Sequence, residues 1–192
     1  MNQNAYQKII DREPNEDLTR VLIIPGHSLD KPGAYNKKLD IYEHDVVMEI
    51  ATEMLKKEKN KSLSLILTSR NSYSKLPNEL NHLNPDFIIS LHLNAFNGEA
   101  QGIETLYYKN SDKSKLLSQI IQKDLLELGY DDRGVKGITE NDRGGHLLFN
   151  TKTPCVIIEP FFIDSIESKG EIERNIKLIS DILLKTLYNN FT

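Results

Sequence analysis

The sequence is poor in cysteine and in long hydrophobic runs. It has one cysteine among 192 residues, so an intramolecular disulfide is excluded and folding does not depend on an oxidising compartment. No window approaches the roughly 18 consecutive apolar residues of a membrane-spanning helix, and the first twenty residues lack the apolar core of a secretory signal. We therefore expect synthesis in the cytoplasm without a signal peptide, and no insertion into a membrane.

The chain also lacks an excess of positive charge. Its formal net charge is -4, whereas nucleic acids and anionic membranes are normally bound by a basic face. The glycines near Gly26 and Gly33 do not form a G-x-G-x-x-G motif, and no Lys-Ser/Thr pair follows them. These absences give no support to nucleic-acid or nucleotide binding, and the sequence defines no oligomeric state.

The residues that are present indicate a single folded domain. Hydrophobic residues make up 39% of the chain, which is enough for a core in a domain of this size. Residues 1–19 are polar and contain Pro14, so we expect a surface extension before a domain of residues 20–192. Strand-like and helix-like periods alternate, which predicts an α/β fold with a twisted, mostly parallel sheet and helices on both faces. The expected strands are residues 20–24, 62–68, 86–91, 102–108 and 155–158, and the expected helices begin near residues 40–42, 73–77, 116 and 166.

Three buried strands are each followed by a side chain that can titrate. His27 follows the first strand, His92 the strand at residues 86–91, and Glu159 the last strand. In an open α/β sheet, ligands bind at the carboxyl ends of the strands. A fourth group, Glu43, falls in the first turn of the helix after the first strand, where the helix dipole favours a carboxylate. We therefore expect these four side chains to form one site.

The residue types in this predicted site suit a catalytic metal. A catalytic zinc typically has three protein ligands and one position for water, and His27, Glu43 and His92 would provide a His₂Glu set. Glu159 would then accept the proton of the water and pass it to the leaving amine. Other acids or imidazoles in the same helix region compete with Glu43 for the ligand position, namely Asp40, His44, Asp45 and Glu49.

Several segments also carry a resemblance to a known family. They are Pro25-Gly26-His27, Glu43 with Asp45 at a helix start, Thr68-Ser69-Arg70, Ser90-Leu91-His92-Leu93-Asn94-Ala95, and Pro154 through Glu159 to Phe162, in that order. Over about residues 21–187 the chain resembles the zinc-dependent N-acetylmuramoyl-L-alanine amidases of the type-3 amidase family, and its single-domain layout is similar to that of phage endolysins.

The resemblance implies one zinc ion held by His27, Glu43 and His92, with Glu159 as the catalytic glutamate in a catalytic domain of residues 20–192. The implied reaction is hydrolysis, by zinc-activated water, of the amide that joins N-acetylmuramic acid to L-alanine in peptidoglycan. The expected partner is therefore peptidoglycan. The protein would act on the cell wall after release by phage-type lysis or by an unidentified export route.

Other readings of the same residues remain open at this point. The zinc chemistry would equally serve a peptidase that cuts elsewhere in the stem peptide, and the fold could persist in a catalytically silent wall-binding module. His27 could be an ordinary loop histidine, and Glu159 could be a structural partner of Arg143 or Arg70. Cys155 is expected to be a packed core thiol, although a Cys-His hydrolase with His146 is a minor alternative.

Two further expectations concern the rest of the chain. Residues 131–153 are rich in glycine and charge, which predicts a long irregular loop of the kind that is usually functional. Within it, the residues that would contact the substrate are Arg143, Gly144, Gly145 and His146. His44 and His82 lie on polar helix faces and are expected to face solvent.

Overall fold

The computed structural model describes residues 18–69 and 72–192, which form one α/β domain. Its strands are β1 (Thr19–Pro25), β2 (Tyr35–Asn36), β3 (Ile41–Tyr42), β4 (Leu63–Leu67), β5 (Phe87–Leu91), β6 (Ile103–Tyr108), β7 (Asp132–Ile138) and β8 (Cys155–Glu159). Its α-helices are α1 (Glu43–Lys57), α2 (Leu76–Leu83), α3 (Asp112–Leu125), α4 (Gly145–Asn150) and α5 (Lys169–Phe191). Short 3-10 turns occur at Leu126–Leu128 and Ile163–Ser165.

Six strands form the main sheet, in the order β4-β1-β5-β8-β6-β7. The first four are mutually parallel, and β6 pairs antiparallel with β8 and parallel with β7. The strands β2 and β3 form a separate antiparallel pair between β1 and α1. The predicted mostly parallel sheet is confirmed, and the two strands of opposite direction lie together at one side of it.

Alternate residues of β1 show how the sheet separates two apolar layers. Val21 and Ile23 pack in a core with the long helices α1, α3 and α5. Leu22 and Ile24 point to the opposite face, into a smaller core with α2 and α4. These four side chains are at most 1% exposed, as expected for a strand buried on both faces. The predicted helices on both faces are therefore confirmed.

The expectation that residues 131–153 form one irregular loop is wrong. This segment contains the edge strand β7 and the short helix α4, with an irregular connection of residues 139–144. The strand was not evident because Gly134 and Gly137 interrupt its apolar pattern, and an edge strand is partly exposed. Pairing with β6 supplies the backbone hydrogen bonds that the composition does not indicate.

Most of the predicted extension of residues 1–19 lies outside the described residues. Thr19 is already the first residue of β1, and its hydroxyl donates a 2.6 Å hydrogen bond to the carbonyl of Phe191 at the end of α5. Arg70 also lies outside the described part of the chain. Within residues 18–69 and 72–192, no helix combines the length and the apolar character that crossing a membrane requires.

Candidate metal centre

Strand order explains why distant residues converge at one edge of the sheet. The strands β1, β5 and β8 are neighbours and run in the same direction, so their carboxyl ends lie side by side. His27 and His92 follow β1 and β5, and Glu159 is the last residue of β8. Glu43 reaches this edge from the first position of α1.

The structure brings His27, Glu43 and His92 into contact. Oε2 of Glu43 lies 3.0 Å from Nε2 of His27, and Oε1 lies 2.9 Å from Nδ1 of His92. One candidate ligand atom from each residue lies within 4.8 Å of the other two. The predicted convergence of these three residues is therefore observed, whereas their role as metal ligands stays a prediction.

The carboxylate of Glu43 is fixed in place by the backbone around it. The N–H of Ala34 donates to Oε2 and the N–H of Leu93 donates to Oε1, both at 3.0 Å. The backbone N–H of Glu43 itself donates to the carbonyl of Ala34 at 2.8 Å, so the loop carbonyl satisfies one of the amide groups that a helix start leaves free. The helix start and the carboxylate are thus held by the same loop.

The electrostatic environment favours the protonation states that bind metals. Burial alone would raise the pKa of Glu43, but the contacts with His27 and His92 outweigh burial and hold its pKa well below the ordinary range. Burial lowers the pKa of His92, although Glu43 opposes this effect. Near pH 7 the carboxylate is therefore ionised and the His92 imidazole is neutral, as metal coordination requires.

The site also fits a metal because one of its polar atoms lacks a hydrogen bond. Nε2 of His27 is buried and makes no hydrogen bond within the described residues, despite its proximity to Glu43. His27 also adopts a left-handed backbone conformation, with φ of 64°, which is uncommon for a residue other than glycine and often marks a functional site. Two imidazoles and one carboxylate are a donor set that suits zinc.

Gly26 and Gly33 have no side chains, and this leaves room for the side chains of His27, Glu43 and His92. A Cβ added at Gly26 would lie 2.6 Å from Cε1 of His92 and 2.7 Å from the carbonyl oxygen of Leu91. At Gly33, with φ of 83°, a Cβ would lie 2.5 Å from Oε2 of Glu43. Neither position can carry a side chain unless the neighbouring atoms move.

Gly26→Ala should therefore disturb the site. We expect a loss of about 1–3 kcal/mol in the free energy of unfolding and a fall of about tenfold or more in zinc affinity, because the methyl group displaces the His92 ring. Denaturant unfolding and competition with a zinc chelator measure the two effects. The control is Gly170→Ala, where a Cβ would meet nothing within 4 Å. Unchanged zinc affinity in Gly26→Ala would show that the close approach is tolerated.

Glu159 lies in the same cleft but outside the three-residue cluster. It is 5% exposed, and its Oε2 atom has no hydrogen-bond partner among the described residues. Burial, partly offset by the positive charge of Arg143, raises the pKa of Glu159 to about 7. No described cation lies within ion-pair distance of it, so the structure does not support a structural pairing with Arg143. A pKa near the working pH suits a group that accepts and releases a proton.

A second buried carboxylate, Glu104, was not singled out in the sequence. It lies directly opposite Glu159 in the antiparallel pairing of β6 and β8. Arg133 donates to Glu104 at 2.9 Å, and Lys136 forms a second ion pair with it. Burial alone would raise the pKa of Glu104, but the ion pairs with Lys136 and Arg133 outweigh burial and lower it. An acid at the second position of a strand whose other residues are aliphatic, β-branched or aromatic was the signal that could have identified it.

A cleft of about 300 Å³ opens beside these groups. One side of it is formed by His27, His92 and Glu159, and Tyr73, Arg143 and His146 also line it. Tyr73 and His146 are in contact, with ring centroids 5.2 Å apart. The cleft is thus large enough to admit part of a substrate next to the candidate metal centre.

The remaining predictions about histidine and cysteine have mixed outcomes. The expectation that His44 faces solvent is wrong, because the ring is buried and its Nδ1 atom lies 2.8 Å from the carbonyl of Gly26. The first turn of α1 packs on the loop, so the polar face that the helical period predicts is covered there. His82 is exposed, as expected. Cys155 is 1% exposed, and burial raises its pKa to about 12, which confirms a packed thiol and argues against a Cys-His hydrolase.

The acids that competed with Glu43 are not part of the cluster. Asp40, Asp45 and Glu49 are exposed, and none of them belongs to the described group of residues that could hold a metal ion. Helical geometry accounts for this result, since one residue of the first turn faces the strand edge while Asp45 and Glu49 lie on the solvent side of α1.

Comparison with known proteins identifies related chains. A family model described as N-acetylmuramoyl-L-alanine amidase matches residues 21–180. An uncharacterised cell wall amidase of Bacillus anthracis is 30% identical over 165 residues, which cover 76% of this chain and 30% of that protein. The chain thus spans less than a third of the length of this relative.

Solved structures share the fold. An N-acetylmuramoyl-L-alanine amidase from Clostridium difficile 630 aligns with a TM-score of 0.75 and 26% identity, covering 90% of this chain and 98% of that one. The catalytic domain of CwlV, an N-acetylmuramoyl-L-alanine amidase from Bacillus (Paenibacillus) polymyxa var. colistinus, aligns with a TM-score of 0.71 and 22% identity, covering 89% and 99%. At the lower identity, the likeness is evidence for the fold alone.

Proposed function

The chain belongs to the N-acetylmuramoyl-L-alanine amidase family, and we propose that residues 20–192 form a zinc-dependent catalytic domain that hydrolyses the amide between N-acetylmuramic acid and L-alanine in peptidoglycan. The observation that carries this proposal is the cluster of His27, Glu43 and His92 beside Glu159, a buried carboxyl group with an unpaired oxygen. Such a substrate lies in the cell wall, so the proposal includes release of the protein from the cell by phage-type lysis or by an export route.

In this proposal, His27, Glu43 and His92 hold a single zinc ion. Zinc in a His₂Glu site supplies Lewis acidity, which activates water at neutral pH. Glu43 contributes more than a donor atom, because its contacts with both imidazoles set their positions relative to each other. The hydrogen bonds from Ala34 and Leu93 hold this carboxylate in place, so the site needs little rearrangement when a ligand enters.

Glu159 is proposed to transfer the proton during hydrolysis. Its carboxylate would accept a proton from the attacking water and donate it to the nitrogen of the departing L-alanine. A pKa of about 7 in the buried site places both protonation states within reach at neutral pH. Glu104, held ionised by Arg133 and Lys136, keeps a negative charge on the neighbouring strand and so favours the protonated form of Glu159.

Chelation tests the requirement for metal. We expect removal of metal to abolish hydrolysis of purified cell walls and added zinc to restore it, because the donor cluster would then lack its ion. Metal content of His27→Ala should fall, whereas His82→Ala, which alters an exposed histidine outside the cluster, should retain one zinc per chain. Hydrolysis that is indifferent to chelator would contradict zinc dependence.

The new amino terminus in digested muropeptides tests the bond that is cut. Release of an L-alanine amino terminus supports the amidase. A different amino terminus would indicate a peptidase that acts elsewhere in the stem peptide, and wall binding without any hydrolysis in the zinc-loaded protein would indicate a silent binding module.

A further inference from the structure

Arg143 is an unpaired cation in the proposed substrate cleft. Among the described residues that line the cleft, it is the one lysine or arginine. Its side chain is exposed, and no described residue forms a hydrogen bond or ion pair with its guanidinium group. Arg143 nevertheless lines the same cleft as His92 and Glu159, so it lies close to the proposed reaction centre.

The loop that carries Arg143 is held in a defined conformation. The carboxylate of Asp142 accepts hydrogen bonds from the backbone N–H and the hydroxyl of Thr139, at 2.6 and 2.7 Å. The N–H of Gly145 donates to the carbonyl of Asp142 at 2.9 Å. The acid next to Arg143 in the sequence is thus engaged in the turn. Glu140 also lines the cleft, but it is exposed and forms no described ion pair with Arg143.

Close packing places this loop against the strand that ends in Glu159. Gly144 has φ of 83°, and a Cβ there would lie 2.6 Å from Cδ1 of Ile157. Ile157 precedes Glu159 by two residues in β8, so both side chains point to the same face of the sheet. The backbone next to Arg143 therefore contacts the same strand and the same face that present the proposed proton-transfer group.

An arginine in this setting suits a carboxylate ligand. The guanidinium group presents its N–H donors in a planar fork that matches a carboxylate in a bidentate pair. Peptidoglycan stem peptides offer such a group one residue beyond L-alanine. A γ-linked D-glutamate at this position has a free α-carboxylate, whereas its amidated form, D-isoglutamine, is neutral there. The two forms differ little in size, so charge distinguishes them.

We propose that Arg143 is a specificity-determining residue that binds the free α-carboxylate of the second stem-peptide residue. This inference rests on the proposed amidase function and deepens it. The protein would then prefer a stem with γ-linked D-glutamate over one with D-isoglutamine.

The test uses two N-acetylmuramoyl tripeptides that differ only at that carboxyl group, as substrates for the zinc-loaded full chain. We expect kcat/KM to be about 10- to 100-fold higher for the free acid, the range typical of a charged hydrogen bond. Arg143→Gln should lower kcat/KM for the acid by this factor more than it lowers kcat/KM for the amide, so that the preference disappears. Arg143→Lys should retain part of the preference.

Hydrolysis of the amide substrate reports that each variant is folded and active. Arg174→Gln is the matched control, since it removes one exposed positive charge on α5, which packs on the opposite face of the sheet from α4 and the cleft. Equal kcat/KM values of the wild-type protein for the two substrates would overturn the inference, as would an equal loss on both substrates in Arg143→Gln, which would indicate a direct role at the scissile bond. Failure of the wild-type protein to hydrolyse either substrate would instead contradict the amidase function.

Discussion

Glu159→Gln is expected to reduce hydrolysis by about 10²- to 10⁴-fold, the usual contribution of a general acid–base group. Glutamine has nearly the same shape, but it can neither accept the proton of the attacking water nor donate one to the leaving nitrogen. The variant should still bind one zinc ion per chain, because Glu159 lies outside the cluster of His27, Glu43 and His92.

Wall-lysis rates and metal analysis of the purified variant measure the two parts of this prediction. Glu140→Gln is a suitable control, since Glu140 lines the same cleft but is exposed. If zinc is lost together with activity, Glu159 is a ligand and the proposed roles must be reassigned. Activity close to that of the wild-type protein would exclude Glu159 as the proton-transfer group.

The same substitution has a second expected effect, on stability in the metal-free protein. The pKa of Glu159 rises from 4.5 to about 7 on folding, so the folded state favours the protonated carboxyl group. The stability that this protonation contributes is complete below pH 4.5 and is lost as the pH rises through 7, a change of about 3 kcal/mol. The glutamine of Glu159→Gln does not titrate, so the stability of this variant does not decrease in this way. Its free energy of unfolding should therefore exceed that of the wild-type protein by a margin that grows from pH 4.5 to pH 8, measured by denaturant unfolding in the presence of chelator.

The central strands could be predicted because burial dominates their composition. β5 and β8 have no exposed residue, and a short apolar run between polar segments is a strong signal for such a strand. β7 gave no such signal, because half-exposed positions and two glycines leave little apolar periodicity. Its place in the sheet follows from pairing with β6, a contact between segments about 30 residues apart in the sequence that no local pattern records.

The residues of the candidate site could be predicted from the sequence where they lie at or just after the end of a buried strand. His27, His92 and Glu159 could be found in this way, because the direction of parallel strands brings their ends together. Glu43 was less certain, since four other groups lie within a few residues of it and only the helix orientation distinguishes them.

Two parts of the site depend on tertiary contacts and could not be read from the sequence. The buried position of His44 results from the packing of α1 against the loop after β1, where the ring contacts Gly26. Glu104 faces Glu159 because β6 is antiparallel to β8, and a strand prediction alone does not give its partner.

Glu43→Gln is expected to have the largest effect on metal binding. The substitution removes the negative charge between the two imidazoles and leaves one oxygen where two now serve His27 and His92. We expect zinc affinity to fall by at least about 100-fold, above the range seen for residues that only orient a ligand. Hydrolysis at limiting zinc should fall with it.

Glu43→Gln should also lower the free energy of unfolding of the metal-free protein by about 1–3 kcal/mol. The backbone N–H groups of Ala34 and Leu93 each donate to a separate carboxylate oxygen, and the amide side chain offers an acceptor to only one of them. The control is Glu49→Gln, an exposed acid in the same helix, which should change neither quantity. Chelator competition and denaturant unfolding separate the two losses. If Glu43→Gln bound zinc as tightly as the wild-type protein, the ion would have to be held without this carboxylate, and the His₂Glu assignment would be wrong even though the fold is unchanged.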